Sequence, residues 1–171
     1  MLLSCGLKIE IKHIAIEDWS AVSEIYMLGI ETGIATFETE VPSWEKWDIK
    51  FLKHPRLAAW SENKIMGWAA LSIVSSREVY KGVAEVSVYV HTDYAHQGIG
   101  IQLLEKLIVE SENNGIWTLQ AGIFRGNIAS INLHKKIGFR EIGYREKVAK
   151  RDGIWHDNII MERRSKIIGI H

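Results

Sequence analysis

The sequence predicts a mixed α/β (α+β) fold, a mostly antiparallel central sheet with helices on both faces. Three observations predict it: strand-like and helix-like runs follow each other along the whole chain, two pairs of runs meet at short turns, and one strand–helix–strand unit lies in the second half. The turns are Glu62-Asn63 and Arg151-Asp152-Gly153, each between period-two runs.

Taken in order, Leu7 to Ile14 alternates apolar and polar residues and reads as a first strand. Glu17 to Leu28 is a helix, with Trp19, Val22, Ile25, Tyr26 and Gly29 at helical spacing. Gly33 to Pro42 has no helical period and reads as a loop containing Thr36, Phe37 and Thr39. Ser43 is a suitable N-cap for a short helix from Trp44 to Lys53, which must close before Pro55. Leu57 to Ser61 and Lys64 to Val74 form a hairpin, and Val83 to Val90 is a further strand. Gly98-Ile99-Gly100 opens a helix with Ile99, Leu103, Leu107 and Ile108 on one face, ending near Asn113-Asn114-Gly115. Trp117 to Ile123 is a strand, Asn127 to Ile137 a helix, and Gly138 its stop. The final hairpin joins Glu141–Lys150 to Ile154–Arg163.

Nothing in the 171 residues breaks this pattern into parts: there is no repeat, low-complexity stretch or Pro/Ser-rich linker, so residues 1–171 are read as a single domain. With 47% hydrophobic and 25% charged residues the chain can bury a full core. Lys and Arg balance Asp and Glu at 21 each, which argues against a nucleic-acid footprint. Cys5 is the one cysteine; it cannot form an internal disulfide, no metal-ligand spacing surrounds it, and no metal is expected. Met1 to Leu7 is too short for a signal sequence or membrane span, so the expected compartment is the cytoplasm, with no membrane partner.

The chemistry starts at the junction of the Val83–Val90 strand and the helix at Gly98. A helix start presents unpaired N–H groups and the positive end of the macrodipole, and glycines at 98 and 100 let a pyrophosphate approach the backbone. A Gly-x-Gly alone is also an ordinary turn. Leu103 occupies the third position a dinucleotide fingerprint would need, and the Lys-Ser/Thr of a Walker loop is missing, which leaves coenzyme A as the fitting pyrophosphate carrier.

Two motifs turn this into a resemblance. Val86-Ser-Val-Tyr-Val90 followed by Ala95-His-Gln-Gly-Ile-Gly100 resembles the acetyl-coenzyme A motif of the GNAT acetyltransferase superfamily, usually Gln/Arg-x-x-Gly-x-Gly/Ala. Asn127-Ile-Ala-Ser130 through His134 to Gly138-Phe139 is similar to that family's Asn-x-x-Ser/Ala helix closed by Gly-Phe. The element order also matches that fold along nearly the whole chain. Ala35-Thr-Phe37-Glu-Thr39, Arg77-Glu-Val-Tyr80, His134 and Trp155-His-Asp157 narrow the resemblance to the phosphinothricin and methionine sulfoximine N-acetyltransferase branch. Ala95 departs from the motif, where Gln or Arg is usual; backbone donors carry that loop, so weaker binding is expected there, not a lost site.

The resemblance implies an acetyl-CoA-dependent N-acetyltransferase acting on a small-molecule amine, working as a homodimer. An acceptor α-amino group titrates near ~8 and must lose a proton before attack. Glu85 is the implied general base; it shares a strand face with Val83, Ser87 and Tyr89, and its alternative is a solvent-facing residue. Val88, Tyr89 and Val90 would offer backbone groups to the pantetheine, and Val88 and Val90 N–H groups would polarise the thioester carbonyl. His96, Gln97, Gly98, Ile99, Gly100 and Ile101 would carry the pyrophosphate. Asn127 and Ser130 can cap a helix or reach the cofactor, and Lys135 or Lys136 could meet a phosphate. His134, where many relatives have tyrosine, is the candidate acid for the leaving thiolate. Arg77 would clamp an acidic acceptor, with Phe37 and His156 walling the pocket. Competing readings are another acceptor (a protein N-terminus, a polyamine or an aminoglycoside) and a non-catalytic acyl-CoA sensor that would not need Glu85.

Overall fold

The structure, a computed structural model, describes residues 8–170. Cys5 and the first residue of the expected opening strand lie outside the described residues. The strands are β1 (Glu10–His13), β2 (Arg56–Ser61), β3 (Lys64–Ile73), β4 (Val83–Val90), β5 (Thr118–Phe124), β6 (Arg140–Arg151) and β7 (Ile154–Arg164). The helices are α1 (Trp19–Glu31), α2 (Trp44–Lys50), α3 (Ile99–Asn113) and α4 (Ile128–Lys136). Short 3-10 turns at Ile16–Asp18, Glu78–Tyr80 and Thr92–Tyr94 carry no sequence periodicity and were not expected.

Helix ends differ from expectation for physical reasons. The first helix starts as a 3-10 turn whose Ala15 N–H is held by the Asp18 carboxylate, 2.8 Å away. Ser43 caps α2 as expected, its hydroxyl accepting from the Lys46 N–H. That helix stops at Lys50, short of Lys53, because the buried Arg56 guanidinium takes the terminal carbonyls of Asp48, Phe51 and Leu52 at 2.6–2.7 Å and the Asp48 carboxylate at 2.5 Å.

The strands form one seven-stranded sheet in the order β1-β2-β3-β4-β5-β7-β6. Every pairing is antiparallel except β4–β5. Period-two side chains divide the core. On one face Ala58, Trp68 and Ala70 meet Val22, Ile25, Tyr26 and Ile30 of α1 and Trp47 of α2. On the other face Leu57, Ala69, Leu71, Ala84 and Val86 meet Ile99, Leu103, Leu104 and Leu107 of α3 and Ile131 of α4.

β4 and β5 pair only from Val83–Glu85 to Thr118–Gln120. The closed end is fastened where the Gly82 carbonyl accepts from Trp117 N–H and Thr118 N–H at 2.8 and 3.0 Å. Past Glu85, β4 stays with β3 as far as Val90 while β5 stays with β7 as far as Phe124. The two parallel strands therefore separate, and a cleft opens through the middle of the sheet.

The β6–β7 turn places Asp152 and Gly153 at positive φ, 50° and 82°, as a two-residue hairpin turn requires. Arg151, buried at the end of β6, donates to the carbonyls of Ile30 at 2.6 Å and Thr36 at 2.7 Å, tying the hairpin tip to the end of α1 and the loop after it. Arg151→Ala leaves those carbonyls unpaired and is expected to lower stability by about 3 kcal/mol in urea unfolding.

Candidate active site

The separation of β4 from β5 leaves one edge of β4 without a strand partner. His91 N–H donates to the Met66 carbonyl at 2.8 Å, continuing the register that sets Val90 opposite Gly67. Antiparallel alternation then turns the backbone of Tyr89 toward β3 and that of Val88 and Val90 toward the gap. The Gly82 carbonyl, which meets β5, has the same parity. Of the three residues expected to offer backbone groups, Val88 and Val90 turn theirs to the gap and Tyr89 does not; the Tyr89 ring is stacked on Trp68 at 4.8 Å and lies beside Tyr26 at 4.9 Å. Burial, with the nearby Tyr26 hydroxyl, pushes the Tyr89 phenol well up.

The gap runs into a cleft of about 750 Å³. At one end stands the N-terminus of α3, whose first N–H groups have no intrahelical partner and no side-chain cap. His96 and Gly98 approach it at φ 62° and 80°. The two glycines serve different ends. Gly98 supplies the left-handed backbone, and a Cβ there would meet nothing within 4 Å. Gly100 gives room for close packing, since a Cβ there would lie 3.0 Å from Leu133 of α4. His96, Gly98, Ile99, Gly100 and Ile101 line the cleft. Gln97 is outside that lining, its amide reaching back to the Asp93 carbonyl at 3.4 Å. Ala95, also lining the cleft, is exposed.

Across the cleft, Asn127 caps α4 by accepting from Ser130 N–H at 3.2 Å, and its amide N–H reaches the Ile34 carbonyl at 3.3 Å. Asn127, Ser130 and Lys136 line the cleft, whereas Lys135 lies beside Glu141 at 3.8 Å. His134 also lines it and is 2% exposed. Its Nδ1 is 2.8 Å from the Ser130 carbonyl, an acceptor, so the proton sits on Nδ1. Nε2 is left as a buried lone pair without a partner. Burial lowers the imidazole pKa below 6.5, only partly opposed by that hydrogen bond.

Glu85 lies on the α1 face of the sheet, exposed, with its carboxylate on the cleft. Phe37 lines the same region and packs on Phe124 at 4.3 Å between ring centres, while His156 stands behind, 4.8 Å from Phe124 and outside the lining. Arg77 is not brought to the cleft. It precedes the 3-10 turn at Glu78–Tyr80, exposed, with its guanidinium 5.5 Å over the Tyr80 ring.

Several lining residues escaped the sequence reading: Tyr26, Thr36, Glu38, Lys50 and Asn158. Lys50 pairs with Glu38 at 3.1 Å. Tyr26 reads as a core position of α1, and Lys50 and Glu38 as a solvated helix end and loop. Only Asn158 left a signal, a lone amide in the apolar run after Asp157. Among the described residues, no cluster of three or more potential metal ligands occurs, and no helix is long and apolar enough to cross a membrane.

This arrangement, a splayed parallel pair with a helix N-terminus at the open end, has known counterparts. Residues 14–139 match the model of the acetyltransferase (GNAT) family. The chain belongs to that family. It is 32% identical over 153 residues to phosphinothricin N-acetyltransferase of Alcaligenes faecalis, covering 86% of this chain and 78% of the relative. It is 34% identical over 106 residues, 62% of each chain, to the L-methionine sulfoximine/L-methionine sulfone acetyltransferase of Pseudomonas paraeruginosa. Its fold superposes on the crystal structure of a ribosomal-protein-alanine N-acetyltransferase from Brucella melitensis with a TM-score of 0.84 at 31% identity, covering 91% of this chain and 99% of that one. A GNAT superfamily phosphinothricin acetyltransferase from Sinorhizobium meliloti, solved in complex with acetyl-CoA, gives 0.83 at 25% identity over 91% and 88% of the two chains.

The depressed His134 pKa fixes a sign. The unfolded imidazole titrates near ~6.5 and the folded one lower, so acidification protonates the unfolded chain first. The stability from this residue is full above that value and is lost as pH falls through the folded pKa. Unfolding free energies of wild type and His134→Gln, compared from pH 8 to 5, are expected to keep a constant difference above ~6.5 and shift against the wild type below it. Gly98→Ala, at positive φ in open space, is expected to cost about 1–2 kcal/mol in the same assay through backbone strain alone.

Proposed function

We propose that the chain transfers acetyl from acetyl-CoA to the α-amine of a small amino-acid-like acceptor, of the phosphinothricin, methionine sulfoximine or methionine sulfone type, with Glu85 as general base. One observation carries this reading. The Glu85 carboxylate opens into the same cleft whose wall is the unpaired Val88–Val90 edge and whose end is the α3 N-terminus.

The residues fit acetyl-CoA. Val88 and Val90 present N–H groups that no strand takes, and the turn from His96 to Gly98 leads into the uncapped N-terminus of α3. Val88 and Val90 would pair with pantetheine amides and polarise the acyl carbonyl. His96, Gly98, Ile99, Gly100 and Ile101 would hold the pyrophosphate, with Gln97 bracing the loop, and Asn127, Ser130 and Lys136 would border the carrier from α4. When bound, acetyl-CoA supplies the activated acyl carbon.

Glu85 takes one proton from the acceptor ammonium, directly or through one water, and releases it to solvent. His134 acts as a neutral imidazole. Its Nε2 lone pair can accept the second proton the nitrogen sheds as the new N–C bond forms, and return it to the departing sulfur. His134 serves in this reading as a proton relay, where the sequence suggested a standing acid. In this reading Lys50, not Arg77, meets the acceptor's acidic group by exchanging its Glu38 partner, since Lys50 lines the cleft and Arg77 does not. Phe37 supplies the apolar wall, with His156 supporting Phe124 behind it. A homodimer belongs to the same reading, with exposed Ile154 and Trp155 at the hairpin tip offering apolar surface.

The name of the Brucella melitensis neighbour favours one alternative acceptor, a protein N-terminus. Free-thiol release from acetyl-CoA with phosphinothricin, methionine sulfoximine, methionine sulfone, spermidine, an aminoglycoside and a short peptide separates the readings. Release with the first three is expected, falling about a hundredfold or more in Glu85→Gln. Release with the peptide alone would move the assignment to N-terminal acetylation; release with no amine, with acetyl-CoA still bound, would leave a sensor.

A further inference from the structure

Asn158 is 9% exposed, lines the cleft, and has a buried Oδ1 without any hydrogen-bond partner. Buried side-chain amides are normally satisfied, so an orphan at the wall of a cleft points to a missing ligand. Its diagonal neighbour on β5 is a glycine, Gly122. Asn158 pairs with Phe124 in the β5–β7 register, which puts Asn158, Gly122 and Glu85 on the same α1 face. A Cβ on Gly122 would lie 3.5 Å from Asn158 Nδ2, 3.5 Å from Glu85 Oε1 and 3.7 Å from Ile160 Cδ1. The missing side chain thus leaves a niche with an amide on one side, a carboxylate on the other and a methyl at the back.

The position is built. β6 bulges opposite this stretch of β7, between Arg145 and Ala149. Asp157 secures the bulge by accepting from the Lys147 N–H at 2.7 Å and from the Tyr144 hydroxyl. With Asp157 committed to the bulge, the next residue faces the cleft.

We propose that the niche above Gly122 is the seat of the acceptor nitrogen, held between Glu85 and Asn158. This rests on the acetyl-transfer reading above. A primary ammonium carries three N–H donors. One points to the Glu85 carboxylate and is the proton removed; a second stays bonded to Asn158 Oδ1, aiming the freed lone pair along the cleft. No hydrogen bond holds either end of the Asn158 amide, so it can turn its oxygen to a donor entering the niche. Carboxylate and amide oxygen together select a cationic donor, and the absent Cβ leaves room for the carbon that bears it.

Two variants test this: Asn158→Leu removes the amide at similar volume, and Gly122→Ala fills the niche at ordinary contact distances. Steady-state kinetics with the best acceptor, acetyl-CoA affinity by calorimetry and melting temperature are measured for each. The expected result is a fall in acceptor kcat/KM of about tenfold or more in both, with raised acceptor KM, and acetyl-CoA affinity and melting temperature retained. Unchanged acceptor kcat/KM in Asn158→Leu, or a loss that follows melting temperature or acetyl-CoA affinity, would overturn the proposal. A wild type that turns over acceptors while both variants keep pace removes this inference alone; a wild type that acetylates no amine removes the transfer reading and the niche with it.

Discussion

The cleft exists because two parallel strands hydrogen-bond over three residues and then part. A strand edge inside a protein must normally be paired, since buried backbone donors and acceptors are costly to leave open. Here β4 keeps its β3 ladder to Val90, and β5 keeps its β7 ladder to Phe124. Neither can follow the other, so Val88 and Val90 face a gap. The helix after β4 begins at the mouth of that gap, and the helix after β5 at its far side, which brings two helix N-termini to one opening. A single departure from regular pairing thus makes the wall, the floor and the anion-facing end together.

The elements built from local pattern were readable. Strand β4 falls where its alternation put it, Ser43 and Asn127 cap the helices they precede, and Gly138 ends α4 at φ 92°. Such features depend on neighbours in sequence. The errors lie where no side-chain period gives a sign: α2 is cut short by the buried Arg56 bonding to its last carbonyls, and the 3-10 turns answer to loops with no period. The motif residues at the starts of α3 and α4 were legible because each is a short run of residues fixed by local backbone needs, Gly98 at positive φ and Asn127 as a cap.

The side of the cleft proposed for the acceptor was much less legible. Its lining comes from α1, α2, the loop between them, β4, β5 and β7, and its polar groups are scattered along the sequence. Arg77 has the right chemistry for an acid, but its loop carries it to Tyr80 and solvent. Lys50 has the same charge in a position that reads as a helix end, and only folding brings it to the rim of the cleft beside Glu38. Gly122 is the sharper case. A glycine in a strand suggests a bulge or a close approach, yet here the groups around it come from far along the chain, Asn158 on β7 and Glu85 across the gap on β4.

The loop between α1 and α2 is moored twice, by Arg151 to the Thr36 carbonyl and by Asn127 to the Ile34 carbonyl. The loop residue packed on Phe124, Phe37, therefore takes its place from a hairpin far away in the chain and from a helix cap. Both moorings end on backbone carbonyls, which any residue supplies. Side chains within residues 33–42 can therefore change while Arg151 and Asn127 go on holding the loop in place, as long as its length is kept.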